Sequence, residues 1–183
     1  MLVLASRSPR RSELLRAAGI DFILRVTDVD ESIEGEESPR EYVQRLAEKK
    51  AWAVPMGPGE VILAADTTVA LGGEILGKPV DGEDARRMLG KLSGLRHEVH
   101  TGVCIRSHDR VSTGIATTGV WFNSMSAVEI DAYIRSGEPM DKAGAYAIQG
   151  VASKFIPRID GSYSNVVGLP VELVYRMLAE HVS

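Results

Sequence analysis

The chain has one cysteine, Cys104, so no intramolecular disulfide can form and nothing points to an oxidising compartment. No apolar run approaches the roughly 18 to 20 residues that a membrane-crossing helix needs. The opening Met1-Leu2-Val3-Leu4-Ala5-Ser6 is too short for a signal-peptide core and has no positive region before it. The expected setting is the cytoplasm, with no membrane partner. Basic residues nowhere form a block of the kind that binds nucleic acid, and the net charge is -4. Any anionic partner must therefore be held by a local cluster.

What is present suffices for a core: 183 residues at 44% hydrophobic content fit one compact domain spanning residues 1–183. Cys104 lies in the apolar run Val103-Cys104-Ile105 and reads as a buried structural thiol. Leu2 to Ala5 reads as a short buried strand, and Ser8-Pro9 opens a helix that Gly19 stops. Ser38-Pro39-Arg40-Glu41 predicts a capping box and a second helix, on which Val43, Leu46, Ala47 and Lys50 share one face. Val61 to Ala65 predicts a strand buried on both faces and ending on Asp66. A hairpin of Thr67 to Leu71 and Glu74 to Leu76 turning at Gly72-Gly73, a helix capped by Asp81 and two strands near 97–106 and 110–123 follow. Ser126 to Glu129 opens another helix; a glycine-rich polar stretch leads to one more strand and a last helix from Pro170. Alternating strands and helices with hairpins between them predict an α/β class with a mixed sheet.

Several residues fit a purely structural role poorly. The turn Ser6-Arg7-Ser8-Pro9-Arg10-Arg11 gathers hydroxyls, helix N-terminal amides and arginines, which together suit phosphate; a solvated basic first turn is the alternative. Asp66, ending the most hydrophobic run, sits where open α/β sheets place catalytic groups, or it caps the turn into Thr67. Lys50, on an apolar stripe, points toward a cleft or snorkels to water. Lys78 in Gly77-Lys78-Pro79 projects from a segment stiffened by the following proline. Asp28, Asp30 and Glu31 form an acidic loop able to hold Mg²⁺ or Mn²⁺, or simply a solvated one. His97 and His100, three apart on a strand, face opposite sides and are not a metal pair.

Ala5-Ser6 with Ser8-Pro9-Arg10-Arg11, Val29-Asp30-Glu31, Glu48-Lys49-Lys50-Ala51, Ala64-Ala65-Asp66-Thr67 and Gly77-Lys78-Pro79 recur in order with further motifs. These are Ser93-Gly94 before His100-Thr101-Gly102, Ala143-Gly144 with Ile148-Gln149-Gly150, and Asn165-Val166-Val167-Gly168-Leu169-Pro170. The ordered set resembles the Maf family of nucleoside triphosphate pyrophosphatases, also called septum formation inhibitors. The resemblance implies an elongated α/β fold like that of the ITPases, with a mixed central sheet, helices on both sides and two lobes around a cleft, and it implies frequent homodimers. It also implies hydrolysis of a nucleoside triphosphate to the monophosphate and pyrophosphate with a divalent metal, Mg²⁺ or Mn²⁺. By the same resemblance Asp66 is the proton acceptor, Ser6, Arg11, Lys50 and Lys78 face the phosphates, and Glu31 with Asp66 holds the metal. Arg10, Thr67 and Gln149 match the branch acting on dTTP and UTP instead of the 7-methyl-GTP branch. A neutral glutamine can both donate to and accept from a pyrimidine edge. A non-catalytic nucleotide-binding regulator of division is the alternative of another class.

Overall fold

The apolar opening forms strand β1 (Leu2–Ala5), and helix α1 (Pro9–Ala17) follows with proline at its start, where the missing N–H costs nothing. The computed structural model describes residues 1–26 and 28–181. Ser8 takes the N-cap position without a side-chain cap; its N–H donates to Ser6 Oγ at 3.1 Å. After strand β2 (Ile23–Leu24), helix α2 (Pro39–Ala53) opens on the expected capping box of Ser38 and Glu41. Asp81 caps helix α3 (Gly82–Leu92) by accepting from the Asp84 N–H at 2.8 Å. Ser126 and Glu129 make a second box at the start of helix α4 (Ala127–Arg135).

Strands β3 (Val61–Leu71), β4 (Glu74–Leu76), β5 (Arg96–Arg106), β6 (Val111–Trp121) and β7 (Arg158–Asp160) complete a seven-stranded mixed sheet. Its order is β2-β1-β3-β5-β6-β7, with β4 paired to β3. Strand β1 lies parallel to both neighbours, Leu4 opposite Leu24 and Leu63. The β3–β4 hairpin is antiparallel, with Leu71 opposite Glu74 and two left-handed glycines, Gly72 and Gly73, between them.

The chain forms two compact units: Met1–Thr67, Thr101–Ala116 and Gly168–Ser183 make the first, Thr68–His100 and Thr117–Val167 the second. In the first unit, alternation along the strands divides the core. Leu4, Leu63, Ala65, Val103 and Ile105 pack with Leu15 of α1 and with Val174 and Met177 of a C-terminal helix (Val171–Ala179). Val3, Ala5, Ile62, Ala64 and Cys104 pack against Ala47 and Ala51 of α2. Period-two strands thus place helices on both faces of the sheet, as an α/β fold requires. The second unit has its own core, in which Met88 and Leu89 of α3 and Ile130 and Tyr133 of α4 meet Val99, Val120 and Phe122.

One expectation is corrected. The strand that begins at Val61 does not end on Asp66; it runs without a break into the hairpin strand expected from Thr67, so that β3 spans both. β-Branched Thr67, Thr68 and Val69 sustain the extended backbone, and an ion pair lets Asp66 be buried inside a strand. The glycine-rich polar stretch from Asp141 to Gly150 holds a short 3₁₀ turn at Ala143–Ala145 and is flanked by two more at Glu138–Asp141 and Val151–Phe155. A one-turn helix, α5 (Tyr163–Val167), also went unpredicted; the helix after Pro170, which becomes α6, follows it as expected.

Candidate functional site

Helix α2 and strand β3 build the centre of the candidate site within the first unit. Gly102 on β5 lies so close to α2 that a Cβ there would stand 2.3 Å from the Val43 carbonyl oxygen. Only glycine permits that approach. Lys50 lies two turns after Val43 on the same helical face, and its Nζ reaches Asp66 Oδ1 of β3 at 2.6 Å and Glu31 Oε1 at 2.5 Å. The cleft-or-snorkel question is therefore answered: the ammonium is aimed at two carboxylates, and the Lys50 side chain is only 14% exposed.

Burial pushes the Asp66 carboxyl above its ordinary range, while Lys50 and Arg11 pull it the other way. Burial thus raises the proton affinity of this carboxylate even though two cations act on it.

Three side chains of α2 fix the acidic loop. Lys49 Nζ donates to the Asp30 carbonyl at 2.9 Å, Tyr42 Oη to the Glu31 carbonyl at 2.9 Å, and Arg45 Nη2 to the Ser32 carbonyl at 3.0 Å. Three consecutive carbonyls are thereby pinned to three different turns of one helix, and Glu31 is held facing Lys50. Tyr42 keeps its proton for this bond, since burial pushes its phenol up to about 12.

Arg11 is buried at the start of α1. Its Nε donates to Gly168 O at 2.7 Å, Nη1 to Ala65 O at 2.9 Å and Ser6 Oγ at 3.3 Å, and Nη2 to Thr67 Oγ1 at 3.0 Å. Thr67 Oγ1 also meets Thr101 Oγ1 at 2.9 Å and the Gly168 carbonyl at 3.2 Å. The guanidinium thus ties the N-terminal turn, β3 and the Gly168 turn into one knot, bringing Ser6, Arg11 and Thr67 together beside Asp66. Arg10 is half-buried and close enough for its charge to act against that of Arg11. Arg7 lies apart, in an exposed ion pair with Asp28 at 2.5 Å.

Lys78 and Gln149 belong to the second unit. Lys78 is exposed between β4 and α3, and the Gly77 carbonyl before it accepts from the Gly144 N–H at 3.0 Å. Gln149 is exposed in a tight turn closed by the Gly150 N–H donating to Ala147 O at 3.1 Å. His97 and His100 have structural partners: His97 Nε2 meets Tyr146 Oη and His100 Nδ1 meets Thr117 Oγ1, each at 2.9 Å.

Among the described residues no group of three or more His, Cys, Asp or Glu is assembled to hold a metal ion. Glu31 and Asp66 nevertheless direct one oxygen each at a single positive charge, that of Lys50. Hard carboxylate oxygens suit Mg²⁺ or Mn²⁺, which need only one or two protein carboxylates when phosphate oxygens and water complete the shell. The donor chemistry fits.

Sequence reasoning missed Gly102, Thr101, Tyr42, Arg45, Lys49 and the Gly168 carbonyl. Gly102, Thr101, Gly168 and Lys49 lie in the ordered motifs, which carried the signal; Tyr42 and Arg45 look like an ordinary solvated face.

A family model described as Maf-like protein matches residues 1–181. A curated protein of Anaeromyxobacter dehalogenans described as dTTP/UTP pyrophosphatase is 55% identical over 174 residues, covering 93% of this chain and 88% of that one. Another so described, from Symbiobacterium thermophilum, is 49% identical over 180 residues, covering 98% and 93%. Among solved structures, a HAM1 protein from Coxiella burnetii covers 98% of each chain with a TM-score of 0.52 at 18% identity, a likeness of fold.

Proposed function

This chain belongs to the Maf-like family, and on that premise we propose that it hydrolyses dTTP and UTP to the nucleoside monophosphate and pyrophosphate. Relatives about half identical over nearly the whole chain carry that activity in their descriptions. The observation that carries the reading is the buried Asp66 carboxylate facing Lys50 Nζ at 2.6 Å, beside the knot of Ser6, Arg11 and Thr67.

In this reading Asp66 takes a proton from water as the water oxygen bonds to the α-phosphorus. The bond from that phosphorus to the oxygen bridging to the β-phosphate breaks, and pyrophosphate leaves. Lys50 offsets the growing negative charge, and Arg11 does so from below while it orders Ser6 and Thr67. Because most of the Arg11 donors are already engaged, its contribution is mainly a fixed positive potential, and the Ser6 hydroxyl is the nearer phosphate ligand. Glu31 and Asp66 would hold a divalent cation, Mg²⁺ or Mn²⁺, which supplies neutralisation of phosphate charge when bound. Lys78 and Gln149 enter through the resemblance alone, as phosphate ligand and base reader, and so does Arg10 as a specificity residue. The whole chain is taken as one catalytic domain acting in the cytoplasm; among the described residues no helix is long and apolar enough to cross a membrane.

The test is incubation with UTP, dTTP, CTP and 7-methyl-GTP in Mg²⁺ or Mn²⁺. Release of UMP, dTMP and pyrophosphate at the highest kcat/KM is expected. Nucleotide binding without product would sink the enzyme reading, and preference for 7-methyl-GTP would overturn the assigned branch.

A further inference from the structure

The turn that carries Gln149 is fastened at both ends to one carboxylate. Glu138, half-buried in a 3₁₀ turn, accepts from the Tyr133 hydroxyl at 2.7 Å through Oε1 and from the Val151 N–H at 3.0 Å through Oε2. The Tyr133 oxygen accepts in turn from the Ala147 N–H at 3.2 Å. Residues Ala147 to Gly150 form the turn, so the amide at its first residue and the amide just after its last both lead to Glu138.

Three further observations describe how this mount is packed. A Cβ at Gly150 would stand 2.2 Å from Glu138 Oε2, so only glycine lets the carboxylate lie against the turn. Ile148 is buried, which leaves Gln149 as the side chain the turn presents outward. Burial, reinforced by Glu138, pushes the Tyr133 phenol far up, so it keeps the proton it donates. A charged acceptor shared by two donors makes a stronger tie than neutral bonds would.

We infer that Glu138 is a positioning residue for substrate selection: without touching substrate, it sets the orientation of Gln149 through the Tyr133 hydroxyl and the Val151 N–H. The inference rests on the reading of Gln149 as the residue that reads the base. A glutamine discriminates between pyrimidines only when its donor and acceptor are held in a fixed direction, because a freely turning amide can satisfy either edge.

The experiment compares kcat/KM for UTP and CTP in the wild type and in Gln149→Ala, Glu138→Ala, Glu138→Gln and Tyr133→Phe, each checked for folding by thermal melting. Gln149→Ala and Glu138→Ala should each lower the UTP/CTP ratio about tenfold, with most of the change in KM for UTP. Glu138→Gln keeps an acceptor for Val151 and a donor for the Tyr133 oxygen, so it should retain most of the ratio. Glu138→Ala placed on Gln149→Ala should leave the ratio where Gln149→Ala alone puts it, since both remove one device. If Glu138→Ala slows UTP and CTP equally while Gln149→Ala changes the ratio, Glu138 is only structural and the inference fails with the Gln149 reading intact. If Gln149→Ala leaves the ratio unchanged, the base-reading role falls first and the inference with it. Should Glu138→Ala not fold, Tyr133→Phe cuts the link to Ala147 and is judged on the same ratio.

Discussion

Lys50 Nζ lies 2.6 Å from Asp66 Oδ1, joining helix α2 to strand β3 in the interior of the first unit. Both side chains are largely withdrawn from water, and Lys50 is the hydrogen-bonded cation that compensates Asp66 for lost hydration. Lys50→Met should therefore destabilise the fold by roughly 3 kcal/mol, because it leaves a buried carboxylate without its hydrogen-bonded counter-charge. Urea unfolding of the variant measures this; an unchanged midpoint would mean that solvent already compensates Asp66.

Asp66→Asn keeps the shape and loses the base. Turnover of UTP should fall by about 10² to 10⁴ while nucleotide binding, followed by calorimetry, stays within severalfold of the wild type. Wild-type turnover would remove Asp66 from its assigned role.

Tyr42 ties Glu31 to α2 from outside the proposed reaction. Tyr42→Phe removes one hydrogen bond, costing about 1 kcal/mol, and frees the loop that presents Glu31. Half-maximal activity should then require severalfold more Mg²⁺, with kcat at saturating Mg²⁺ little changed. A proportional loss at every Mg²⁺ concentration would count against Glu31 as a metal-holding group.

Gly102 sets the distance between α2 and β5. Gly102→Ala places a methyl group inside the Val43 carbonyl, and backbone cannot yield as a flexible side chain would. Stability should fall by at least about 1 to 3 kcal/mol, and activity should fall further than the folded fraction does, since a displaced α2 carries Lys50 away from Asp66. Thermal melting together with activity per folded molecule separates the two effects.

His97 supplies a pH dependence. Burial pushes its pKa from 6.5 down to about 4, so the folded protein holds it neutral where the unfolded chain binds a proton. Between pH 6.5 and about 4 the unfolded state carries more protons, and stability must fall as pH falls. The group contributes roughly 3 kcal/mol at neutral pH that is lost across this window. Denaturation measured at pH 7 and at pH 4.5 should show the loss, and His97→Gln should flatten it. An equal slope in that variant would assign the effect to other groups.

Local chemistry determined much of this protein from sequence alone. Ser38 with Glu41, Ser126 with Glu129, and Asp81 with Asp84 cap helices through partners three residues away. Gly72-Gly73 turns a hairpin, and alternation along β1 and β3 assigns each core residue to a face. Such features are legible because their energetics lie within a few residues. The ordered motifs likewise mark Ser6, Arg11, Lys50 and Asp66 from the sequence alone.

Only the tertiary structure decided what these residues do to one another. Lys50 and Asp66 are separated by 16 residues, Arg11 and the Ala65 carbonyl by 54, and Arg11 and the Gly168 carbonyl by 157. That Arg11 is engaged by two main-chain carbonyls and two hydroxyls, that Lys50 bridges two carboxylates, and that Asp66 lies within a strand all depend on strand register and the close seat of α2 on Gly102. Those are properties of packing between distant segments, where burial raises the cost of every unpaired charge and so dictates which partners must meet.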